Sequence, residues 1–174
     1  MLDLDKVGMK VNSCTPHAEK HGKENVLCVS LGLQGAIDAK LLDGLDVTLR
    51  KLLFRKPGKD EITQQELPGT ESNDGLTKRK YTHVQSIAWT DKLLGYVIEL
   101  GSGLTSTDPE VIEDVKVSGM AFEPMDGGTV VFKFKADFKA DAELAGKCAA
   151  MLQEVVEVSL YAPTKQDERQ AELA

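Results

Sequence analysis

The sequence contains no long apolar run. None of its 174 residues belongs to a stretch approaching the roughly 18 apolar residues that a membrane-spanning helix requires. The first residues, MLDLDKVGMKV, are acidic and interrupted by polar positions, so they lack the basic and apolar regions of a secretory signal. These absences predict a cytoplasmic protein that makes no contact with a membrane.

Cysteine is scarce as well. The three cysteines have spacings that form no disulfide framework, and an odd number fits a reducing compartment. An apolar content of 41% and a charged content of 28% are ordinary for a globular protein. A chain of this length can bury a real core without disulfides. We therefore predict one globular domain over residues 1–163 and a C-terminal tail over 164–174.

The common catalytic motifs are missing too. The chain has no G-x-S-x-G elbow, P-loop, glycine-rich dinucleotide turn or H-E-x-x-H motif. His83 is predicted to lie within a strand, where a histidine is usually structural, and the acidic residues show no spacing typical of a site. We therefore expect neither enzymatic activity nor a cofactor.

Charge is unevenly distributed along the chain. The formal net charge of −7 argues against a surface that coats nucleic acid generally. Residues 48–80, however, contain eight basic and five acidic residues, a net +3, which leaves −10 for the remainder. A locally basic segment on an acidic protein suits contact with a polyanion at one place only.

Hydrophobic periodicity predicts about seven strands and two or three short helices. Strands are predicted at 6–12, 25–34, 81–89, 92–100, on both sides of the turn at Asp126–Gly127, and at 154–163. Helices are predicted before and after Gly44 and at 141–152, and residues 81–100 are interpreted as a hairpin. The predicted fold is α+β and β-rich, a mostly antiparallel, partly closed barrel or twisted sheet, with an oligonucleotide-binding-type barrel as one member of that class.

Residues 55–80 separate these strands with an insertion of low apolar content. The segment contains two prolines and three glycines. Insertions of this length in a compact domain are usually functional or disordered, and we predict a flexible insertion.

The stretch SCTPHAEKHGKENVLCV, residues 13–29, raises the question of a metal site. Cys14, His17, His21 and Cys28 are residue types that bind zinc, but the spacing lacks the paired C-x2-C motif of strong zinc signatures. Alternation also directs Cys28 away from the apolar face of its strand. A polar loop shaped by Pro16 and Gly22 is the favoured interpretation, and no metal is predicted.

Basic and aromatic residues suggest a surface for single-stranded nucleic acid. Such surfaces neutralise phosphates with cations and stack bases on rings, at roughly 1–3 kcal/mol per base. The candidate residues are Arg55, Lys56, Lys78, Arg79, Lys80, Trp89, Tyr96, Lys133 and Lys135. The alternative is that Trp89 lies in the core and that the strand lysines only protect a sheet edge against aggregation.

Two segments resemble a known family. VNSCTPHAEKHGKENVLCVSLGL followed by LDGLDVTLRKLLFRKPG, and the end FKADFKADAELAGKCAAMLQEVVEVSLYAP, resemble small uncharacterised phage early-region proteins found near replication and recombination genes. The resemblance covers most of the chain and implies a protein of the host cytoplasm that binds single-stranded DNA or a recombinase. It carries no catalytic residue.

Two functions remain open from the sequence. The first is a non-catalytic phage accessory protein of DNA replication or recombination that binds single-stranded DNA. The second is a protein-interaction module that binds a phage or host factor, with counter-defence as one such role. A homo-oligomer is open under either function. Convergence of the basic residues around an exposed Trp89 or Tyr96 would favour the first function, and their dispersal would favour the second.

Overall fold

The computed structural model describes residues 2–58, 75–101 and 109–163. These residues form nine strands, one 3₁₀ helix and two α-helices. The strands are β1 (Leu4–His21), β2 (Glu24–Asp38), β3 (Phe54–Arg55), β4 (Lys78–Arg79), β5 (Ile87–Trp89), β6 (Leu93–Gly101), β7 (Glu110–Met125), β8 (Thr129–Lys139) and β9 (Val155–Tyr161). The helices are the 3₁₀ helix (Ala39–Gly44), α1 (Leu49–Leu53) and α2 (Ala142–Ala150). No helix among the described residues has the length and apolar character needed to cross a membrane.

Six strands form a closed antiparallel barrel. Their order is β7-β6-β9-β1-β2-β8, and pairing of β8 with β7 closes the ring. Closure pairs the backbone of the outermost strands, so the barrel wall has no open edge. The structure confirms the predicted β-rich, antiparallel fold with few helices.

The barrel interior is filled by the apolar side chains that alternate along each strand. On β8, Phe132, Phe134 and Phe138 point inward and are buried, whereas the lysines between them are exposed. Phe132 stacks on Phe122 of β7, with ring centroids 4.9 Å apart and an interplanar angle of 2°. Complete burial of one such ring contributes roughly 1.5–3 kcal/mol relative to exposure. The alternation of β8 therefore directs its phenylalanines into the barrel and its lysines to the surface.

The predicted loop at residues 13–24 is wrong, because these residues continue the β1–β2 hairpin. Pairing runs from Lys10↔Gln34 to His21↔Glu24, and Gly22, at φ +66°, forms the turn with Lys23. Pairing of β8 with β2 stops at Cys28↔Lys139, so the hairpin extends beyond the barrel wall. Both faces of that extension meet solvent. Its sequence is therefore polar and lacks the hydrophobic alternation that indicates a strand.

The predicted hairpin of residues 81–100 is also wrong. β5 pairs with β7 in the register Trp89↔Met120, and β6 pairs with the same side of β7 from Leu93↔Val117 onward. Both strands are antiparallel to β7, so the chain continues in one direction past Thr90 and Asp91 without reversing. His83 precedes β5 and lies in a turn, not in a strand.

Short helices close the barrel ends. Asp141 begins α2 by accepting a hydrogen bond from Leu144 N at 2.8 Å, as expected of an N-cap aspartate. The side chain of Asp46 accepts a hydrogen bond from the backbone N of Thr48, the residue that occupies the cap position of α1. The Asp126–Gly127 turn joins β7 to β8 as predicted, with Met125 paired to Thr129.

Candidate nucleic-acid interface

The nine candidate binding residues fall into three places in the structure. Five lie at one end of the barrel in or beside the β3–β4 ribbon, two lie on the outer wall of β8, and two aromatic residues face inward. The insertion residues 59–74 and the tail residues 164–174 lie outside the described residues. The nine residues therefore do not form the single surface that the sequence suggested.

The ribbon joins the two flanks of the insertion. Arg55 of β3 pairs with Lys78 of β4, and Phe54 pairs with Arg79. Directly paired residues share one face of a ribbon, so two cations lie side by side on the outer face. Lys56 follows them and is exposed. The flanks of the predicted flexible insertion are thus ordered β-structure, brought together by a pairing that spans more than twenty residues.

Two of these basic side chains hold the ribbon to the barrel. Arg79 shares its face with the buried Phe54, and its Nε lies 3.8 Å from Asp126 Oδ1 in the β7–β8 turn. Its backbone N donates to the same carboxylate at 3.2 Å. Lys80 Nζ donates to the carbonyl oxygen of Lys51 in α1. These contacts give Arg79 and Lys80 structural roles. Lys78 Nζ also lies 3.9 Å from Asp126 Oδ2, so of the five basic residues at the ribbon Lys56 is the exposed one that these contacts do not involve.

The aromatic residues do not form an exposed stacking surface. Tyr96 is 6% exposed, and burial raises the pKa of its hydroxyl. Trp89 is paired with the buried Met120, shares its inward face and packs against the core. The expectation that Tyr96 lies on a surface is therefore wrong. The alternation of Tyr96, Ile98 and Leu100 in the sequence was the signal of its inward orientation.

Lys133 and Lys135 project outward from β8, together with Lys139. These three lysines alternate with the inward phenylalanines, and from Lys133 to Lys139 they span about 20 Å at the usual rise per strand residue. Asp137 is the acidic residue of the same row, and its Oδ2 accepts from Ser118 Oγ at 3.3 Å. The strand therefore carries a line of cations along the wall of the barrel.

Neighbouring strands add lysines that could not be recognised from the sequence. Lys116 of β7 is paired with Asp137, and Lys10 of β1 lies beyond Gln34, the β2 residue paired with Lys133. Their positions beside β8 depend on registers between segments far apart in the chain. No local pattern in the sequence indicates those registers.

The side chains between these lysines are small. Lys135 is flanked by Gly32 on β2 and Ser118 on β7, and Lys133 is flanked by Gln34 and Ala121. A Cβ added at Gly32 would lie 2.4 Å from Ser13 Oγ on the next strand. Ser13 Oγ thus occupies the space over Gly32, and Gln34 is a longer side chain. On the β7 side, however, Ser118 and Ala121 are small, so an extended chain can approach the two ammonium groups from that side.

The outward residues of β2 from Cys28 to Ala36 and of β8 from Val131 to Lys139 are called here the β2–β8 face. This face contains three lysines and one aspartate, a net +2. The outward residues of β6 from Val97 to Gly101 and of β9 from Val155 to Tyr161 form the β6–β9 face. That face contains Glu99 and Glu157 and no basic residue, a net −2. In the strand order, these two pairs of strands lie on opposite sides of the barrel.

The hairpin does not bring together Cys14, His17 and Cys28, three members of the quartet that raised the question of a metal site. Cys14 packs against the core from β1, whereas His17 is paired with Cys28 on the outer surface. The side chain of His21 lies outside the described residues. His17 and Cys28 do come together with Glu19, which the sequence did not suggest as a ligand.

No family model, curated protein or solved structure matches this chain. The geometry of the barrel and its two faces is therefore the basis on which a function is proposed.

Proposed function

We propose that this protein is a non-catalytic accessory protein that binds single-stranded DNA along the β2–β8 face. The candidate residues are dispersed and Tyr96 is buried, which counts against the surface that the sequence suggested. The proposal depends instead on a smaller set, the row of Lys133, Lys135 and Lys139 beside mostly small residues, opposite an acidic face. The link to phage DNA replication or recombination comes from the sequence resemblance alone.

Binding on this face depends on phosphate contacts. The outward residues of β2 and β8 include lysines, small residues and amides but no aromatic ring. Without rings there is no base stacking, so binding is independent of sequence and weakens steeply with salt. Three to five lysine contacts give a slope of log Kobs against log salt of about −2 to −3.5 for a single strand. The opposite, acidic face orients the protein as it approaches the polyanion.

Fluorescence anisotropy with a labelled single-stranded oligonucleotide tests the proposal. We expect binding at low salt with the slope given above, and weaker binding by the Lys133→Glu/Lys135→Glu variant, whose slope is smaller in magnitude by about 1.4. Lys6→Glu and Lys133→Glu change the charge equally. Lys6 lies beside β9, where its backbone N donates to Ser159 Oγ at 3.1 Å, and it is therefore the matched control for the single variant.

Three outcomes would contradict this function. The first is the absence of an anisotropy change at low salt. The second is an equal loss of affinity in Lys6→Glu and Lys133→Glu, which would show that net charge matters and the face does not. The third is an equal affinity for a duplex of the same sequence, which would replace single-stranded DNA with any polyphosphate as the ligand.

A second candidate function is protein binding by the β6–β9 face. Val155 on β9 is 65% exposed and lies two positions from the acidic Glu157 on the same face of the strand, and Leu94 near the start of β6 is 69% exposed. Exposed apolar side chains among charges of one sign are typical of protein interaction sites. A partner retained after nuclease treatment by the wild-type protein and lost by Val155→Ser/Glu157→Lys would favour this function.

A further inference from the structure

The outer surface of the β1–β2 hairpin brings together three residues that zinc prefers as ligands. His17 and Glu19 are two positions apart on β1 and therefore share a face, and Cys28 on β2 is paired with His17. One imidazole nitrogen, one thiol sulfur and one carboxylate oxygen lie within 4.8 Å of one another. We propose that His17, Glu19 and Cys28 bind one zinc ion, or a similar transition-metal dication, through His17 Nε2, a Glu19 carboxylate oxygen and Cys28 Sγ.

The separations suit a tetrahedral ion. Bonds of about 2.0–2.3 Å place neighbouring ligand atoms roughly 3.3–3.8 Å apart. His17 Nε2 and Glu19 Oε1 are already 3.4 Å apart. Small side-chain rotations therefore bring the thiol into the same coordination sphere, with one position open to water.

The histidine is held in the orientation that a metal ligand needs. Its Nδ1 lies 3.3 Å from the carbonyl oxygen of Thr15 and donates to it in the tautomer that leaves Nε2 free to bind a metal. Metal-binding histidines usually donate their second ring nitrogen to a carbonyl or a carboxylate in this way.

The chemistry of the ligand set selects the metal. A thiolate with an imidazole and a carboxylate favours zinc or cobalt over magnesium or calcium, which prefer oxygen ligands. Cys28 is 4% exposed although it points outward, so its sulfur is shielded from solvent. Lys139 is paired with Cys28, and its positive charge opposes the binding of a dication. Binding forms the metal–sulfur bond and releases the thiol proton to solvent.

Titration of the purified full-length protein with Co²⁺ alone and then Zn²⁺ alone tests the site. We expect one equivalent to bind, with the near-ultraviolet absorption of a cobalt–thiolate bond and the visible bands of a tetrahedral ion. The Cys14→Ser/Cys148→Ser variant keeps Cys28 as its one thiol and should retain both signals. His17→Gln and Glu19→Gln should each weaken Zn²⁺ binding at least about tenfold.

The cysteine variants make the test decisive. Cys28→Ser should lose the cobalt–thiolate absorption, while the double variant that lacks the other two cysteines keeps it. Absence of zinc binding by the wild-type protein, or zinc binding that is unchanged by His17→Gln and Glu19→Gln, would overturn the proposal. These two substitutions lie on the exposed extension of the hairpin, so they decide the matter even if Cys28→Ser does not fold.

Discussion

The β2–β8 face and the β6–β9 face have the same inner architecture and opposite outer surfaces. Inside, both present buried alternating side chains such as Phe132 and Val158. Outside, the first has lysines among mostly small residues, and the second has two glutamates and the exposed Val155. The period-2 alternation that builds the barrel leaves every second residue free to set the surface. One closed barrel can therefore present a cationic side and an acidic side.

The first test concerns the apolar interior that both faces share. Phe132→Ala removes a ring that stacks on Phe122 and lies 5.1 Å from Phe134, so we expect it to lower the free energy of unfolding by about 3–5 kcal/mol. Val158→Ala on β9 should lower it by about 2 kcal/mol, since it removes two methyl groups from a fully buried site. Urea denaturation monitored by circular dichroism measures both.

The matched control for Phe132→Ala is Lys133→Ala on the adjacent, outward position. We expect this exposed substitution to change the free energy of unfolding by about 0.5 kcal/mol or less. If it were as costly as Phe132→Ala, the inward and outward assignment of β8 would be incorrect, and the β2–β8 face would not exist as described.

The second test concerns the contact between β1 and β2, which lies between the two faces. A Cβ at Gly35 would lie 2.8 Å from the carbonyl oxygen of Gly8 and 3.1 Å from Met9 Cγ, so the strands would have to separate. We expect Gly35→Ala to lower the free energy of unfolding by about 1–3 kcal/mol. Thermal or urea unfolding measures the change.

Gly146 in α2 provides the opposite case for the same substitution. No atom lies within 4 Å of a Cβ added there, and the residue lies within a helix. Gly146→Ala should therefore raise the free energy of unfolding by about 0.5–1 kcal/mol. Equal effects of the two alanines would mean that the close approach of β1 and β2 is not important for stability.

The third test exchanges charge between the faces. Lys133→Glu should weaken binding of single-stranded DNA about tenfold, equivalent to 1.4 kcal/mol, because a phosphate contact is replaced by repulsion. Glu157→Lys on the opposite side should change the affinity less than about twofold at 0.15 M salt, where charges are screened over roughly 8 Å. Anisotropy titrations at that salt concentration compare the two, and a larger effect of Glu157→Lys would reverse the assignment of the faces.

Much of the fold follows from local patterns. The β7–β8 hairpin is indicated by its Asp126–Gly127 turn, and the inward Phe132 and outward Lys133 follow from simple alternation. The helix α2 is indicated by its apolar stripe, with Asp141 as its cap. In these elements the residues that decide the structure are neighbours in the chain, which is why the sequence is sufficient.

The remainder depends on pairing between distant segments. Thr90–Asp91 resembles a hairpin turn, but β7 offers one continuous side to both β5 and β6, and this pairing prevails over the local signal. The cross-strand neighbours Lys116 and Lys10, and the partnership of Glu19 with Cys28, depend in the same way on register. The candidate sites were therefore only partly visible: the lysines of β8 were recognised, and the residues beside them were not.

The last test concerns two thiols that contact the core, Cys14 on β1 and Cys148 on α2. Burial raises the pKa of Cys148 to about 11, and Cys148 is fully buried on α2. A raised pKa means less thiolate, so at pH 8 roughly one Cys148 in a thousand is ionised. Burial also raises the pKa of Cys14, but its side chain is only half-buried.

Because the thiolate is the nucleophile, iodoacetamide should modify Cys14 before Cys148. The rate of Cys148 modification should rise about tenfold per pH unit below pH 11. Peptide mass mapping measures both rates. Equal rates at the two cysteines would show that the packing of α2 does not shield Cys148 from solvent.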